Sequence, residues 1–475
     1  MSLSDRVGPG VGRAEPQLLR DDLVRQLEER LGEEQIKGRL PTLVAGIVRN
    51  GTIVWRGARG STASGGGGSP TTATQYRIGS ITKTFVAVSV LRLRDEGALD
   101  LSDAVGEHIS ELAELPVTVG QLLSHTSGLR AETPGPWWER TPGVPFRELV
   151  SSSLRRDDLL WRPGRRFHYS NPGYAVLGEL VARVRSAPLG DVVRNELLEP
   201  LGMRRTTLRP EPPYVRGLAV HPHADLVMDE PEHDALAMAP AGQLWSTIED
   251  LARWSDVLAG GRPEVLSPRS VAEMAEPIAL MDMPGQPWSG AYGLGLQVWN
   301  QGGARRYGHS GAMPGYWAMV LVDEATKDVV VALANSTYRG FRPGFFAEML
   351  SLVASQQPRE KSPFQPIPAG ANERALQIVG TWYWGPVEYR LNLRQDGRLE
   401  LGGVPDGRDC TFRPRDDGSY VGESGYFDGE RLTPCRRSDG SLTHLDIASF
   451  VFTRKPYDRA ADIPGGVDEK GWHAE

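Results

Sequence analysis

The stretch Tyr76-Arg77-Ile78-Gly79-Ser80-Ile81-Thr82-Lys83-Thr84-Phe85, continuing as Val86-Ala87-Val88-Ser89-Val90-Leu91, organises the reading of this chain. Ile81, Phe85, Val88 and Leu91 recur at helical spacing, which predicts a helix with Ser80 at or near its N-terminus. Lys83 follows Ser80 by three residues, so hydroxyl and amine share one helix face a turn apart. An amine whose pKa is lowered by burial and neighbours can take the serine proton, so the pair reads as an activated nucleophile. An N-cap serine followed by a solvated lysine has the same spelling. The company these residues keep along the chain decides between the two.

On the N-terminal side, Leu18, Leu19, Leu23, Val24, Leu27 and Leu31 form an amphipathic helical stripe. Leu43–Arg49 and Thr52–Gly57 then flank Asn50-Gly51, a strong signal for an antiparallel hairpin. The Gly65–Gly68 run lacks the Lys-Ser/Thr and helix of a phosphate-cradling loop and reads as a flexible tip.

On the C-terminal side lies Leu122-Leu123-Ser124-His125-Thr126-Ser127-Gly128-Leu129. A histidine in such a helix-ending turn is expected to be structural, bonded to backbone, rather than a base. Trp137 and Trp138 sit in a Pro/Gly loop that either walls a substrate cleft or tucks onto the core. Tyr169-Ser170-Asn171 occupies an irregular segment just before a helix expected from Ala175 to Val184. Strands are expected at Leu294–Trp299, Trp317–Val322 and Val329–Leu333, with the glycine-bearing Gly308-His309-Ser310-Gly311-Ala312 between the first two, and a helix over Phe345–Ala354. This order suggests an antiparallel sheet packed between helices, an α+β arrangement with the chain's two ends meeting in one sheet.

Prolines at 358, 363, 366 and 368 mark a stiff linker. Beyond it, short strand candidates with Asp-Gly turns at 396–397, 417–418, 428–429 and 439–440 indicate a small all-β barrel or sandwich. The expected division is a tail (1–16), a catalytic domain (17–355), a Pro-rich linker (356–372) and a C-terminal β domain (373–475).

The 475 residues, 24% of them charged with a net charge of −7, describe a globular protein without the basic footprint of a nucleic-acid partner. No run of apolar residues suits a membrane helix and no secretory pattern opens the chain, so a cytoplasmic location is expected. Two cysteines, Cys410 and Cys435, are expected to be free thiols.

Taken together, Ser80-x-x-Lys83, Tyr169-Ser170-Asn171 and His309-Ser310-Gly311 resemble the three motifs of serine β-lactamases and penicillin-binding proteins. The Tyr-x-Asn form is similar to that of class C β-lactamases and their esterase and D-peptidase relatives. The resemblance covers roughly residues 20 to 355 and implies a β-lactamase/transpeptidase-like fold, with a lipocalin-like barrel following it. It implies that Ser80 forms an ester acyl-enzyme, that Lys83 and Tyr169 share the proton traffic, and that Asn171 holds Lys83 and binds a substrate amide. The backbone N–H groups of Ser80 and Ala312, beside Gly311, would form the oxyanion hole. No metal or cofactor is implied.

His309 departs from the Lys-Thr-Gly form. A largely neutral imidazole replaces a permanent cation, which turns expectation from penicillin-type carboxylates towards esters, thioesters or peptide amides. It could also pass a proton to or from Tyr169.

One subgroup matches the whole layout: the penicillin-binding-protein-type thioesterases, which release and cyclise nonribosomal peptides bearing a D-configured acyl terminus. That resemblance implies a peptidyl substrate carried by a peptidyl carrier protein, with Arg454 of the β domain as a polar contact to substrate or a surface arginine. The alternatives are an intracellular serine esterase, a D-amino-acid-specific peptidase, or a non-catalytic binding protein on the same fold.

Overall fold

The computed structural model describes residues 17–62, 68–337, 340–342, 344–359, 372–403 and 408–463, and the backbone of 467–468 and 471–472. The expected N-terminal tail, the glycines at 65–67 and the prolines at 363, 366 and 368 lie outside the described residues. The chain divides into two compact units at Arg359/Glu360.

The first unit is built on an eight-stranded antiparallel sheet. Its strands are β1 (Thr42–Arg49), β2 (Thr52–Gly60), β3 (Ala279–Leu280), β4 (Gly290–Tyr292), β5 (Gln297–Gln301), β6 (Ala304–Met313), β7 (Tyr316–Asp323) and β8 (Val329–Ala334), in the order β2-β1-β8-β7-β6-β5-β4-β3. Asn50 and Gly51, with φ of 50° and 73°, make the expected hairpin turn. Val48 pairs with Val329 and Leu43 with Ala334, so the N-terminal hairpin lies beside the last strand.

Alternate residues of β1 and β8 serve two cores. Leu43, Ala45, Ile47, Val330 and Ala332 face α1 (Asp21–Gly38), through Leu23, Leu27 and Leu31, together with Phe345, Phe346 and Met349 of a helix near the end of the unit. Val44, Val48, Val329, Val331 and Leu333 face the larger helical body. With both faces covered, these strands are continuous apolar runs rather than alternating ones.

The larger core centres on α2 (Thr82–Asp95), which is buried nearly all round from Thr82 to Leu93. An all-round apolar helix belongs inside a protein. Phe85 stacks on Trp254 of a neighbouring helix with ring centroids 3.8 Å apart, and α3 (Asn171–Arg185) contributes Tyr174, Val176, Leu177, Leu180 and Val181.

Two expectations shift in position. Leu294–Leu296 form a turn, closed by Gly293 N–H to the Leu296 carbonyl, and the strand begins only at Gln297. The helix after Tyr169 starts at Asn171, earlier than Ala175, because Ser170 caps it and Pro172 suits its first turn.

The second unit is an antiparallel sheet of β9 (Gly380–Trp384), β10 (Val387–Leu393), β11 (Leu399–Gly402), β12 (Cys410–Pro414), β13 (Tyr420–Gly422), β14 (Arg431–Arg436), β15 (Leu442–Ile447) and β16 (Phe450–Phe452), each paired with the next. Tyr383 on β9 and Thr453 after β16 exchange backbone hydrogen bonds of 2.7 and 2.9 Å, bringing the first and last strands together in a nearly closed barrel. Its own core includes Trp382, Leu391, Phe412, Phe427, Leu445 and Phe452.

Candidate active site

Ser80 is delivered by a short strand and a tight turn. Tyr76–Arg77 pair with Trp245–Ser246, and Ile78 N–H donates to the Leu244 carbonyl at 2.8 Å. A single 3-10 turn, Gly79–Ile81, leads directly into α2. Two glycines let this turn sit against β6. Gly79 has φ +52°, and a Cβ there would lie 2.6 Å from the Ala312 nitrogen; a Cβ on Gly311 would lie 1.9 Å from the Ile78 carbonyl oxygen and 3.3 Å from the Ser80 nitrogen. Backbone therefore meets backbone where an oxyanion hole between Ser80 and Ala312 would stand.

Lys83 is wholly buried. Its Nζ donates to Ser80 Oγ at 3.0 Å, Asn171 Oδ1 at 2.7 Å and the Ala241 carbonyl at 2.6 Å. Burial lowers its pKa to about 7, against the pull of the Glu132 and Glu139 carboxylates. The geometry fixes where a lone pair would go. The Ala241 carbonyl can only accept, and so can Asn171 Oδ1, because Asn171 Nδ2 donates to Glu132 Oε1 at 2.7 Å. A neutral Lys83 keeps N–H bonds to both and turns its lone pair to Ser80.

Tyr169 lies beside the pair, with Lys83 Nζ 5.0 Å from its ring centre. Burial raises its pKa, while a hydrogen bond with Ser80 pulls it down less strongly, so near neutral pH the phenol keeps its proton.

The Tyr169 segment is stitched to the turn around His125. Ser170 N–H donates to His125 Nδ1 at 3.0 Å, Asn171 N–H to the Ala131 carbonyl at 2.9 Å, and Ser170 Oγ to the Arg130 carbonyl at 2.7 Å. His125 is fully buried, in the left-handed region at φ 55°, with its ring 4.1 Å from Tyr169 and 4.5 Å from Tyr292. Burial holds its pKa well below the ordinary histidine value. It is the positioning histidine the turn suggested.

His309 takes a different part from the expected proton relay. Its Nδ1 meets the Ser310 carbonyl at 2.5 Å, so that nitrogen carries the proton, and Nε2 accepts from the Tyr292 hydroxyl at 2.8 Å. Its ring centre stands 6.4 Å from that of Tyr169. Burial lowers its pKa to about 3, so it is neutral and adds no cation.

The tryptophan pair separates. Trp138 is buried in the core and donates to Glu132 Oε2 at 2.7 Å, whereas Trp137 is half exposed and donates to Glu139 Oε2 at 2.8 Å. Trp138 thus tucks onto the core, while Trp137 stands out from it. Arg454 stacks 3.8 Å over the Trp382 ring and donates to the carbonyls of Gln377, Val379 and Thr381. Those bonds lie within its own barrel and correct the substrate-contact expectation towards a structural role. A cavity of about 860 Å³ lies behind α2, lined by Thr82, Phe85, Val86, Pro240 and Leu244; Ser80, Lys83 and Tyr169 do not line it.

The family model described as Beta-lactamase matches residues 21–350, which contain the whole constellation. The chain belongs to the beta-lactamase family. A domain of unknown function (DUF7586) matches residues 371–454. Protein flp of Staphylococcus aureus is 24% identical over 326 residues, a match spanning 67% of this chain and 64% of flp. Two solved structures share the fold. The octameric penicillin-binding protein homologue from Pyrococcus abyssi superposes with TM-score 0.62 at 20% identity, covering 91% of this chain and 100% of that one. SurE, crystallised with D-Leu, gives 0.56 at 22% identity over 92% of this chain and 100% of that one.

Within this beta-lactamase-family frame, sequence reading missed the residues that hold the named ones. Glu132 orients Asn171, the Ala241 carbonyl holds Lys83, and Tyr292 holds His309. A backbone acceptor such as the Ala241 carbonyl leaves no trace in residue identity. Glu132 and Tyr292 have no fixed spacing from their partners.

Proposed function

We propose that this protein is a serine acyl-enzyme-forming hydrolase or acyltransferase acting on peptide-type thioesters, esters or amides. The observation that carries the reading is the buried Lys83, whose two other partners can only accept and which therefore aims its lone pair at Ser80. Ser80 Oγ attacks the acyl carbonyl as its proton passes to Lys83 Nζ. The oxyanion is held by the Ser80 and Ala312 N–H groups. Tyr169, still protonated, gives its proton to the leaving group, and Lys83 replaces it. Water or an amine then takes the acyl group by the reverse path.

The surroundings favour a substrate that carries an ammonium. His309 supplies no charge at the third motif, whereas Glu132 is solvent-accessible and each of its oxygens has a lone pair to spare beyond the bonds from Asn171 and Trp138. A free amine there suits an aminoacyl amide or ester, and equally a peptidyl thioester that closes on its own amine. SurE, which shares the fold and was solved with D-Leu, is in keeping with a D-configured acyl terminus; in that form a peptidyl carrier protein would deliver the thioester.

Intact-mass spectrometry against a p-nitrophenyl ester, a penicillin, a D-alanyl dipeptide and peptidyl thioesters ending in an L- or D-residue tests this. Acylation of Ser80 by D-terminated thioesters with release of cyclic product supports the cyclase form. Reaction with simple esters alone, with water as sole acceptor, leaves an esterase. For the ammonium, Glu132→Gln is expected to lower kcat/KM for a free-amine donor about tenfold more than for its N-acetyl counterpart, about 1.4 kcal/mol; equal losses would overturn that part.

A further inference from the structure

Away from Ser80, one cluster on the barrel brings three different metal-binding side chains together. Cys435 on β14 and His444 on β15 are directly opposite in the antiparallel register, and Asp446 lies two residues beyond His444. All three therefore project from one face of the sheet, while Leu445 and Ile447 point the other way into the barrel core. The thiol sulfur, an imidazole nitrogen and a carboxylate oxygen lie within 4.8 Å of one another. Cys435 Sγ is 3.3 Å from Asp446 Oδ2, and His444 Nε2 is 3.4 Å from Asp446 Oδ1. Bonds of about 2.3 Å to sulfur and about 2.0 Å to nitrogen or oxygen in a tetrahedron put ligand atoms about 3.3–3.5 Å apart.

A second, independent observation concerns Thr443. Its Oγ1 donates to the Cys435 carbonyl at 3.0 Å and is thus left to accept from His444 Nδ1 at 2.9 Å. The imidazole proton is held on Nδ1, and the Nε2 lone pair faces the Asp446 carboxylate. In the neutral ring two acceptors then face each other across 3.4 Å, the imidazole 7% and the carboxylate 41% exposed. A proton on Nε2 or a metal cation between the two atoms satisfies both, and a hydrogen-bonded outer nitrogen is how metal-binding histidines are oriented.

We propose that Cys435, His444 and Asp446 bind one divalent cation of the Zn²⁺ class, with a fourth position left for water or an external ligand. Thiolate, imidazole and carboxylate together suit Zn²⁺ rather than the hard, oxygen-seeking Mg²⁺ or Ca²⁺. Binding converts the Cys435 thiol to a metal thiolate and releases its proton to solvent. Cys435 and Asp446 are only partly buried, which leaves an entry path. A nucleophilic cysteine is the weaker reading, because Sγ meets the carboxylate and not the imidazole that would have to serve as its base.

The test uses the full chain, stripped with a chelator and titrated with Co²⁺ as spectroscopic probe. One equivalent is expected to give a thiolate-to-cobalt charge-transfer band and tetrahedral d–d bands, both displaced by Zn²⁺. Cys435→Ser should remove the charge-transfer band, Cys410→Ser should retain it, and Thr443→Val should weaken binding about 10–100-fold. Zn²⁺ should also slow alkylation of Cys435 in the unaltered protein, a readout that needs no variant. Absence of the band, its survival in Cys435→Ser, or alkylation indifferent to Zn²⁺ would each overturn the proposal.

Discussion

Lys83 concentrates the chemistry of the first unit in one amine. With its pKa lowered to about 7, kcat/KM for an activated ester is expected to rise with pH through about 7 and then level, since the neutral amine is the active form. Tyr169→Phe should lower the plateau by roughly 10²–10⁴-fold for an amide, whose leaving group needs the proton, and far less for the activated ester, with the midpoint near 7 for both. Lys83→Arg should not rescue Lys83→Ala, because a guanidinium does not surrender its proton. The same shift bears on stability. Below about pH 7 lysine is protonated in both folded and unfolded chains. Between about 7 and the ordinary 10.5 the unfolded chain holds the extra proton, so stability rises with pH by roughly 1.4 kcal/mol per unit across that window. Urea unfolding of wild type and Lys83→Met at pH 7 and pH 9.5 checks this: the difference between them should shift in favour of wild type at the higher pH. At His125, a change to Leu leaves the buried Ser170 N–H without its acceptor, and a loss of about 1–3 kcal/mol is expected from the denaturation midpoint.

At the level of elements, the site depends on the seat of the Gly79–Ile81 turn against β6. Gly311→Ala would push a methyl group to 1.9 Å from the Ile78 carbonyl. The expected result is a fall in acylation rate of about 10²-fold or more with substrate affinity less affected, the signature of a displaced reacting atom, read from single-turnover kinetics. The parts legible beforehand were those with strong local signals. Asn50-Gly51 announced the hairpin and the recurrence of Ile81, Phe85, Val88 and Leu91 announced α2, whereas the cap at Ser170 that starts the next helix at Asn171 went unread. What stayed hidden was built by tertiary contact. The edge strand Ala279–Leu280 and its neighbour Gly290–Tyr292 are too short to show a period. In the barrel, Cys410–Pro414, Arg431–Arg436 and Leu442–Ile447 went unread because prolines, arginines and a histidine interrupt their alternation. Their partners across the sheet supply the regularity that the local sequence lacks.

Over the whole molecule, the two units have separate cores. Trp382→Ala, which empties the centre of the barrel core, is expected to cost about 3–5 kcal/mol within that unit. The amplitude of Ser80 acylation by a small ester should remain that of wild type, measured by burst titration. The division of the site is equally plain in sequence terms. Ser80, Lys83, Tyr169 and Asn171 were readable because their chemistry fixes their identity and spacing, whereas His309 was readable in place but not in role, since only the fold reveals Tyr292 as its partner. The central claim is that neutral Lys83 activates Ser80. Its most direct test is intact-mass measurement of the acylation rate with a p-nitrophenyl ester as a function of pH, for wild type, Ser80→Ala and Lys83→Met. The account expects one acyl group on Ser80, a rate rising through about pH 7 in wild type, none in Ser80→Ala, and a rate lower by roughly 10²–10⁴-fold without that rise in Lys83→Met. An acyl group on another residue, or an unchanged pH profile in Lys83→Met, would contradict it.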